Sequence, residues 1–336
     1  MKLIFIIPRA CTTYSGGVPV QGRMWKEGLE QNGDVVDLFS VWEKHDWNSY
    51  DYIVFLGYGN ELINYVRDLK GYSHPKLVIA PIEDYPGTLG VYKFRAKYFG
   101  SIRLKINKPL HDYYYCRNFF DLFLARSEHE KQFIVSALGV SPNKVEVIPL
   151  SMRFNEKFQT IAPMEKENFC FHVSRLGFYG KNVSRLIEAA KKYKFELRLA
   201  GFMLENEKKW LNELIKDAPN IKYVGYLNDS DLKEMYKKAK VFALPSIIEG
   251  VGFVALEAAA YGAEIVLTNI GAPKEYYDGR AFLVSPYRVD EIGIAICEAL
   301  EKGKAQPELQ KYIIDNYSFK TLSKKLHDRL VYRLSI

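Results

Sequence analysis

"NFCFHVSRLGFYGKN", residues 168–182, is the stretch on which the architecture turns. An apolar run, NFCFHVS (168–174), passes into a glycine-bearing loop and then into a helical stretch from about Val183 to Tyr193. That is how an α/β domain opens, yet the chain has already run through the same alternation once. Upstream lie LIFII (3–7), VVDLF (35–39), YIVFLG (52–57), KLVIAPI (76–82), DLFLA (121–125) and VEVIPL (145–150). Their nearly continuous apolarity predicts strands buried on both faces, as in a parallel sheet covered by helices. VQGRMWKEGLEQNG (20–33) and HEKQFIVSALG (129–139), the latter stopped by Gly139, read as helices between them. Downstream the series continues with ELRLAG (196–201), a helix around 205–217, and IKYVGY (221–226). A helix capped by Asp229 or Ser230 follows, then VFALPS (241–246), EIVLT (264–268) and AFLV (281–284).

Two successive series predict an α/β protein of two doubly wound, Rossmann-like domains facing each other across a central cleft. The expected domains are 1–150 together with 316–336, and 151–315. Residues 151–167 are polar, carry Pro163 and lack a period, which places the linker there. The last helical stretch, 318–335, has no obvious place in the second sheet.

Size and composition agree. A chain of 336 residues exceeds the length at which one core stops growing. With 48% hydrophobic and 26% charged residues it is an ordinary globular chain. A net charge of +7 suits an anionic ligand or membrane surface and does not by itself indicate nucleic acid. Cys11, Cys116, Cys170 and Cys297 are far apart, which argues for a reducing compartment and against a zinc site or disulfide scaffold. No apolar run approaches the ~20 residues that span a bilayer, and MKLIFIIPRA reads as a first buried strand rather than a signal peptide. A cytoplasmic protein is expected, with peripheral contact at the inner face of a membrane as an option.

The chemistry is carried by PSIIEGVGFVALEAAAYG (245–262). Glu249 stands at a glycine-bearing turn. Glu257 stands among Val254, Ala255, Leu256, Ala258, Ala259 and Ala260, where an acidic side chain is out of place in a purely structural helix. If the chain is helical from 252, the two lie up to ~12 Å apart along the axis. Carboxylates serving one glycosidic bond stand about 5–9.5 Å apart, so these two read instead as acceptors gripping the ends of an elongated, hydroxyl-bearing ligand. The turn Gly250-Val251-Gly252 leaves amides unscreened at a helix start, a site suited to an anion. An anion in the middle with hydroxyls at both ends describes a nucleotide diphosphate sugar. In SRLGFYGKN (174–182), Arg175 and Lys181 flank a loop at a strand's carboxyl end, where open α/β sheets bind ligands. Together with the helix dipole they suit stabilisation of a diphosphate leaving group without a metal. The plainer readings are an exposed helix residue for Glu257 and solvated surface cations for Arg175 and Lys181.

Here the chain resembles a known family. Arg175-x5-Lys181 after the opening strand, then Glu249-x7-Glu257 with glycines after the first Glu, is similar to the retaining GT-B glycosyltransferases of family 4 (group 1). The resemblance covers most of the second half and reaches back through FDLFLARSEHEKQF and KVEVIPL, and APKEYYDGRAFLVSP (272–286) resembles the segment after the motif. It implies a retaining, metal-independent, hexosyl-type transferase of polysaccharide biosynthesis. The donor would be a nucleotide diphosphate sugar, the acceptor a glycan or lipid-linked glycan, and no cofactor would be needed. Arg175 and Lys181 would hold the diphosphate, and Glu249 would contact donor-sugar hydroxyls. The amides of Val251 and Gly252 would face the sugar, and those of Phe253 and Val254 the phosphate. Glu257 would accept from the ribose, and the backbone near Tyr226 and Leu227 would frame the base. Gly16 and Gly17 resemble the family's glycine loop, a simple turn being the alternative, and the last helix would cross back to the first domain. One departure stands out: where the family often carries a histidine after the fourth strand, this chain reads APIEDYPG (80–87), with Glu83 and Asp84. Either could contact the sugar or acceptor, or serve as a loop cap.

His172 lies within a strand and reads as a core histidine, and His45, His111 and His129 lack metal-ligand spacing. The stretch 85–116 interleaves Lys93, Arg95, Lys97, Arg103, Lys105 and Lys108 with Tyr85, Tyr92, Phe94, Tyr98, Phe99 and Tyr113–Tyr115. Such a mixture suits an anionic membrane surface, an acceptor wall, an RNA surface or a solvated face over an aromatic core. The rival functions are a nucleotide-sugar epimerase of the same architecture and a catalytically silent sugar-nucleotide or glycan-binding protein. A nucleic-acid partner is not expected.

Overall fold

The apolar runs form strands buried on both faces, gathered into two separate parallel sheets. The computed structural model describes residues 1–8, 17–85, 87–101, 106, 108–154, 166–277 and 279–336. They fall into two units, Met1–Leu150 with Phe319–Ile336, and Ser151–Ser318.

The first unit contains β1 (Lys2–Ile6), β2 (Val35–Leu38), β3 (Tyr52–Leu56), β4 (Lys76–Ala80), β5 (Leu122–Ala125) and β6 (Val145–Val147), in the order β2-β1-β3-β4-β5-β6. Every pairing is parallel. Its helices are α1 (Gly17–Gln31), α2 (Leu62–Leu69), α3 (Leu89–Tyr98), α4 (Pro109–Cys116) and α5 (Glu128–Gln132). Ile53, Phe55, Ile79 and Phe123 of the strands pack against Leu62, Val66, Tyr92 and Tyr113 of the helices. The helix predicted over 129–139 is present but divided. Ser127 caps α5 by accepting the amide of Glu130 at 3.0 Å, and the following turn, Phe133–Ala137, widens to a π turn.

The second unit contains β7 (Glu167–Val173), β8 (Leu197–Ala200), β9 (Ile221–Tyr223), β10 (Ala239–Leu244), β11 (Glu264–Thr268) and β12 (Phe282–Val284), again all parallel. Their order is β12-β11-β10-β7-β8-β9. Connections leave β7 toward one edge and β10 toward the other, so the topological switch point lies between these two strands, the place where open α/β sheets take ligands. The helices are α6 (Val183–Tyr193), α7 (Glu205–Ile215), α8 (Asp229–Lys238), α9 (Phe253–Ala260), α10 (Val289–Glu301) and α11 (Glu308–Tyr317). The cap of α8 is Asn228, not Asp229 or Ser230: its side-chain oxygen accepts the amide of Asp231 at 3.0 Å, and Asp229 is already helical. Asn is as good an N-cap as Asp, so the acidic pair behind it obscured the true position.

The last helix, α12 (Phe319–Leu334), packs in the first unit. It buries Phe319, Leu322, Leu326 and Leu330 and lies against α1. The approach requires a glycine at position 28, because a Cβ there would sit 2.2 Å from Ser323 Oγ. Tyr52 donates to the Leu330 carbonyl at 2.8 Å, and Arg333 binds Glu146 at 2.6 Å. The junction falls at Ser318–Phe319, three residues beyond the expected 315, since α11 stays with the second unit. There Tyr317 accepts from the amide of Met152 at 3.1 Å and stacks on Tyr276. Of the stretch read as a linker, Ser151, Met152 and Phe154 are buried, and residues 155–165 lie outside the described residues. Cys116 and Cys170 are buried and free, Cys297 is half-buried and free, and Cys11 lies outside the described residues.

Candidate active site

At the carboxyl ends of β7 and β10 two loops are locked together. The carbonyl of Gly180, in the loop after β7, accepts the amides of Ile247 and Ile248, in the loop after β10, at 2.8 and 3.1 Å. Asn182 adopts the left-handed conformation at φ 60° and donates from its side-chain nitrogen to the carbonyls of Pro245 and Pro286, at 2.9 and 2.6 Å. These bonds fix Lys181 against Glu249. Lys181 Nζ lies 2.9 Å from Glu249 Oε2, and Ser246 Oγ donates to the same oxygen at 3.0 Å. The carboxylate is 9% exposed and the lysine 22%, so the pair is shielded but reachable. Tyr277 is wholly buried nearby, and its hydroxyl has no partner among the described residues. Its pKa is driven well up by burial first and by the charge of Glu249 second.

The chain then turns through Gly252 at φ 74° into α9. Only glycine takes that conformation without strain, and a Cβ there would also meet Leu244 Cδ2 at 3.1 Å. The amides of Val251, Gly252, Phe253 and Val254 donate no hydrogen bond among the described residues. Those of Gly252, Phe253 and Val254 are orphan donors of a helix start, with the positive end of its dipole behind them, and that of Val251 precedes the cap. Lys181 and Glu249 are thus brought together, with Glu249 beside Gly252. Arg175 is exposed, with no ion pair among the described residues. Tyr226 is exposed and Leu227 half-buried after β9. Gly17 is the first residue of α1, and Gly16 lies outside the described residues.

Glu257 is not an exposed helix residue. It is wholly buried, and its carboxylate is gripped by Arg153, Nε to Oε1 at 2.5 Å and Nη2 to Oε2 at 2.9 Å. Tyr236 donates to Oε2 at 3.1 Å. Three of about four acceptor positions are therefore filled. Arg153 also meets Asp229 at 3.4 Å. Sequence reasoning missed Arg153 because it stands in a polar stretch that reads as linker. Asn182 and Ser246 were within the quoted motifs, but their partners are backbone carbonyls and an acid 3 residues on, which no spacing rule flags.

In the first unit, Glu83 and Asp84 follow β4. Ile82 holds φ 57°, a left-handed conformation that costs a β-branched residue about 1–3 kcal/mol. A buried clamp enforces it. Glu130 Oε1 accepts the amide of Glu83 at 2.6 Å, and Arg126 Nη2 donates to the Glu83 carbonyl at 3.1 Å and to Asp84 Oδ1 at 2.6 Å. The Glu83 carboxyl receives the hydroxyls of Tyr58 and Tyr92 on Oε2, at 2.6 and 2.5 Å. Burial pushes its pKa up to about 7, against the pull of both tyrosines, with Asp84 and Glu130 adding to the rise.

His172 is a core histidine, bound to the Ala243 carbonyl and to Ser174 Oγ at 2.8 Å each. Burial lowers its pKa to about 4. Among the described residues no group of His, Cys, Asp and Glu is placed to hold a metal ion, and no helix is long and apolar enough to cross a membrane.

Residues 153–317 match the family described as glycosyl transferases group 1. The O-antigen chain mannosyltransferase B of Escherichia coli is 28% identical over 129 residues, 36% of this chain and 34% of that protein. Among the first curated relatives the chain spans between 34% and 52% of their length. The sucrose-phosphate synthase of Thermosynechococcus elongatus superposes with a TM-score of 0.76 at 15% identity, covering 99% of this chain and 98% of that one. An Anabaena protein solved in complex with UDP and glucose superposes with a TM-score of 0.73 at 16% identity, covering 99% and 100%. At such identity the likeness carries the fold alone.

Proposed function

The chain belongs to the glycosyl transferases group 1 through residues 153–317 and has the GT-B fold, and from that premise we propose that it moves a sugar from a nucleotide diphosphate sugar to a hydroxyl acceptor with retention of anomeric configuration. The observation that carries this reading is the Lys181–Glu249 pair set beside four unpaired amides at the start of α9. The amides and the helix dipole receive the pyrophosphate. Lys181 turns to the leaving phosphate as the glycosyl bond breaks, which frees Glu249 to face the sugar and the positive charge developing at its anomeric carbon. Arg175, exposed and unpaired among the described residues, supplies a second cation. Glu257, wholly buried beneath Arg153, meets the ribose only once that partly exposed arginine moves aside, and the second unit, not the first, holds the donor. No metal or cofactor is called for, because the charge to be neutralised has protein donors.

A mannosyl donor is the first to try, since the relative at 28% identity is a mannosyltransferase. The test is a thermal-shift panel of GDP-mannose, UDP-glucose and other nucleotide sugars, with GDP and UDP as controls. One intact nucleotide sugar is expected to raise the melting temperature more than its diphosphate alone. Transfer to a glycan or lipid-linked glycan should then give a product whose one-bond C1–H1 coupling assigns it the same anomeric configuration as the donor. A panel without any shift removes the reading, and an inverted product removes retention.

The acceptor side carries a second expectation. On α3 and just after it, Leu89, Val91, Phe94, Tyr98 and Phe99 are exposed beside Lys93 and Lys97, with Phe94 touching both Tyr98 and Phe99. Arg103 and Lys105 of the same basic stretch lie outside the described residues. Aromatic rings among cations suit the interface of an anionic bilayer, where a lipid-linked acceptor resides. Flotation with vesicles containing phosphatidylglycerol should carry the protein up, and Phe94→Ser with Lys93→Ser should leave it at the bottom. Equal flotation with neutral vesicles would exclude the anionic surface.

A further inference from the structure

In the second unit an arginine holds the place that the proposed donor must take. Arg153 meets both oxygens of Glu257, Nε to Oε1 at 2.5 Å and Nη2 to Oε2 at 2.9 Å, while Tyr236 donates to Oε2 at 3.1 Å. The three groups differ in access. Glu257 and Tyr236 are wholly buried, whereas the Arg153 side chain is 25% exposed. The path from solvent to the carboxylate therefore leads past the guanidinium. That guanidinium also has a second partner at hand: Nη1 lies 3.4 Å from Asp229 Oδ1, on a side chain that is itself largely exposed. The Phe154 ring, 5.0 Å from the guanidinium carbon, gives it a surface to slide over.

The position along the binding edge is that of a ribose. Asp229 opens α8 directly after the loop with Tyr226 and Leu227, which would frame the base. Glu257 stands just past the first turn of α9, behind the amides of Phe253 and Val254 that suit the pyrophosphate. Arg153 bridges these two places, and in a nucleotide the sugar ring lies between base and phosphates. As a mere brace the ion pair is an indifferent choice, since well-packed apolar groups of the same volume hold a fold at least as well. As a removable occupant it is apt, because it keeps a buried carboxylate satisfied until a ligand with matching donors arrives.

We propose that Arg153 is a latch on the ribose acceptor, held on Glu257 in the free protein and displaced onto Asp229 by the donor's 2′ and 3′ hydroxyls. The inference rests on the nucleotide-sugar reading of this site and adds to it a specificity residue that acts through Glu257. The exchange is oxygen for oxygen. A guanidinium fork presents two parallel donors, and a vicinal diol presents two hydroxyl donors to the same carboxylate. A ligand without that pair leaves an oxygen of the buried carboxylate unpartnered, and sites built on hydrogen bonds reject such ligands most strongly. The latch thus selects ribonucleotides. It also lowers their apparent affinity, because only the molecules in which it stands open are competent to bind. Without the arginine the acceptor is always open, so the nucleotide binds more tightly although the free protein is less stable.

The experiment is calorimetric titration of the full chain with GDP and UDP and with their 2′,3′-dideoxy counterparts. Arg153→Ala should bind the diphosphate that wild type prefers about tenfold more tightly or better, because the open form is no longer a minor population. Arg153→Lys keeps the cation but not the fork, and covers the case in which the alanine variant fails to fold; it should gain about threefold. Neither should gain with the dideoxy ligand, which has no hydroxyl to place on Glu257. Melting curves give a second readout. The deficit of Arg153→Ala against wild type should shrink at saturating GDP or UDP, since the ligand then fills in both proteins the oxygens that the arginine fills in one. Weaker or unchanged binding in both variants would make Arg153 a brace or a ligand contact and overturn the latch. An equal gain with the dideoxy diphosphate would overturn the exchange of hydroxyls for guanidinium. Binding to wild type without a gain in either variant sinks the latch alone, whereas no binding to any of the three proteins sinks the nucleotide reading along with it.

Discussion

Lys181→Ala is expected to lower the turnover number for sugar transfer by about 10²–10³-fold, the loss typical of removing one preorganised donor to a developing oxyanion. The structure explains why so much should rest on one amine. Its approach to Glu249 depends on the Gly180 carbonyl, the Asn182 side chain and the Ser246 hydroxyl, which are all satisfied and leave little freedom to the loop. A charge already held in place needs no reorganisation when the phosphate leaves, whereas water filling the space of an alanine must be reoriented. Glu249→Ala should fall as far, and the double variant should fall little further, because two residues acting as one unit lose their effect together. Neither change should unfold the protein: the lysine is partly exposed, and Ser246 and the helix start remain. The measurement is initial rate across a range of donor concentrations up to saturation, alongside the thermal shift with nucleoside diphosphate. Wild-type turnover in either single variant would end the assignment. A loss confined to the Michaelis constant would make Lys181 a binding residue without a role in bond breaking.

How much of this was legible beforehand follows the physics of each signal. The strands could be read because a parallel sheet buries both faces, so LIFII, YIVFLG and VFALPS needed no partner to be recognised. The pairing of Lys181 with Glu249 was half legible: each residue stood out in its own loop, but their contact depends on the carbonyl of Gly180, and backbone acceptors leave no mark in a sequence. Glu257 looked anomalous among alanines and is indeed wholly buried. Its partner was invisible, since Arg153 lies 104 residues away in a stretch whose polarity mimics a linker. The cradle around Glu83 was hidden for a similar reason. Tyr58, Tyr92 and Tyr113 look like ordinary aromatic residues until three connections fold their hydroxyls toward one carboxyl and its neighbours.

The buried pair carries the largest expected effect on stability. Arg153→Ala should destabilise the second unit by about 3–5 kcal/mol, the range found when one member of a buried ion pair is removed and its partner is stranded. Glu257 would keep only the Tyr236 hydroxyl, with no solvent to replace two charge-assisted bonds. Arg153→Lys should recover only part of the loss, because an ammonium cannot supply the two parallel donors of a guanidinium. Arg153→Met with Glu257→Leu should lie near wild type in stability, since exchanging both charges for apolar groups removes the desolvation cost along with the attraction. That double variant should still lose affinity for the nucleotide if Glu257 accepts from the ribose, which separates the fold from the function. Hydrogen exchange of the α9 amides, read peptide by peptide, measures the second unit alone. A deficit under about 1 kcal/mol, the level of an exposed ion pair, would mean that water reaches Glu257 once the arginine is gone.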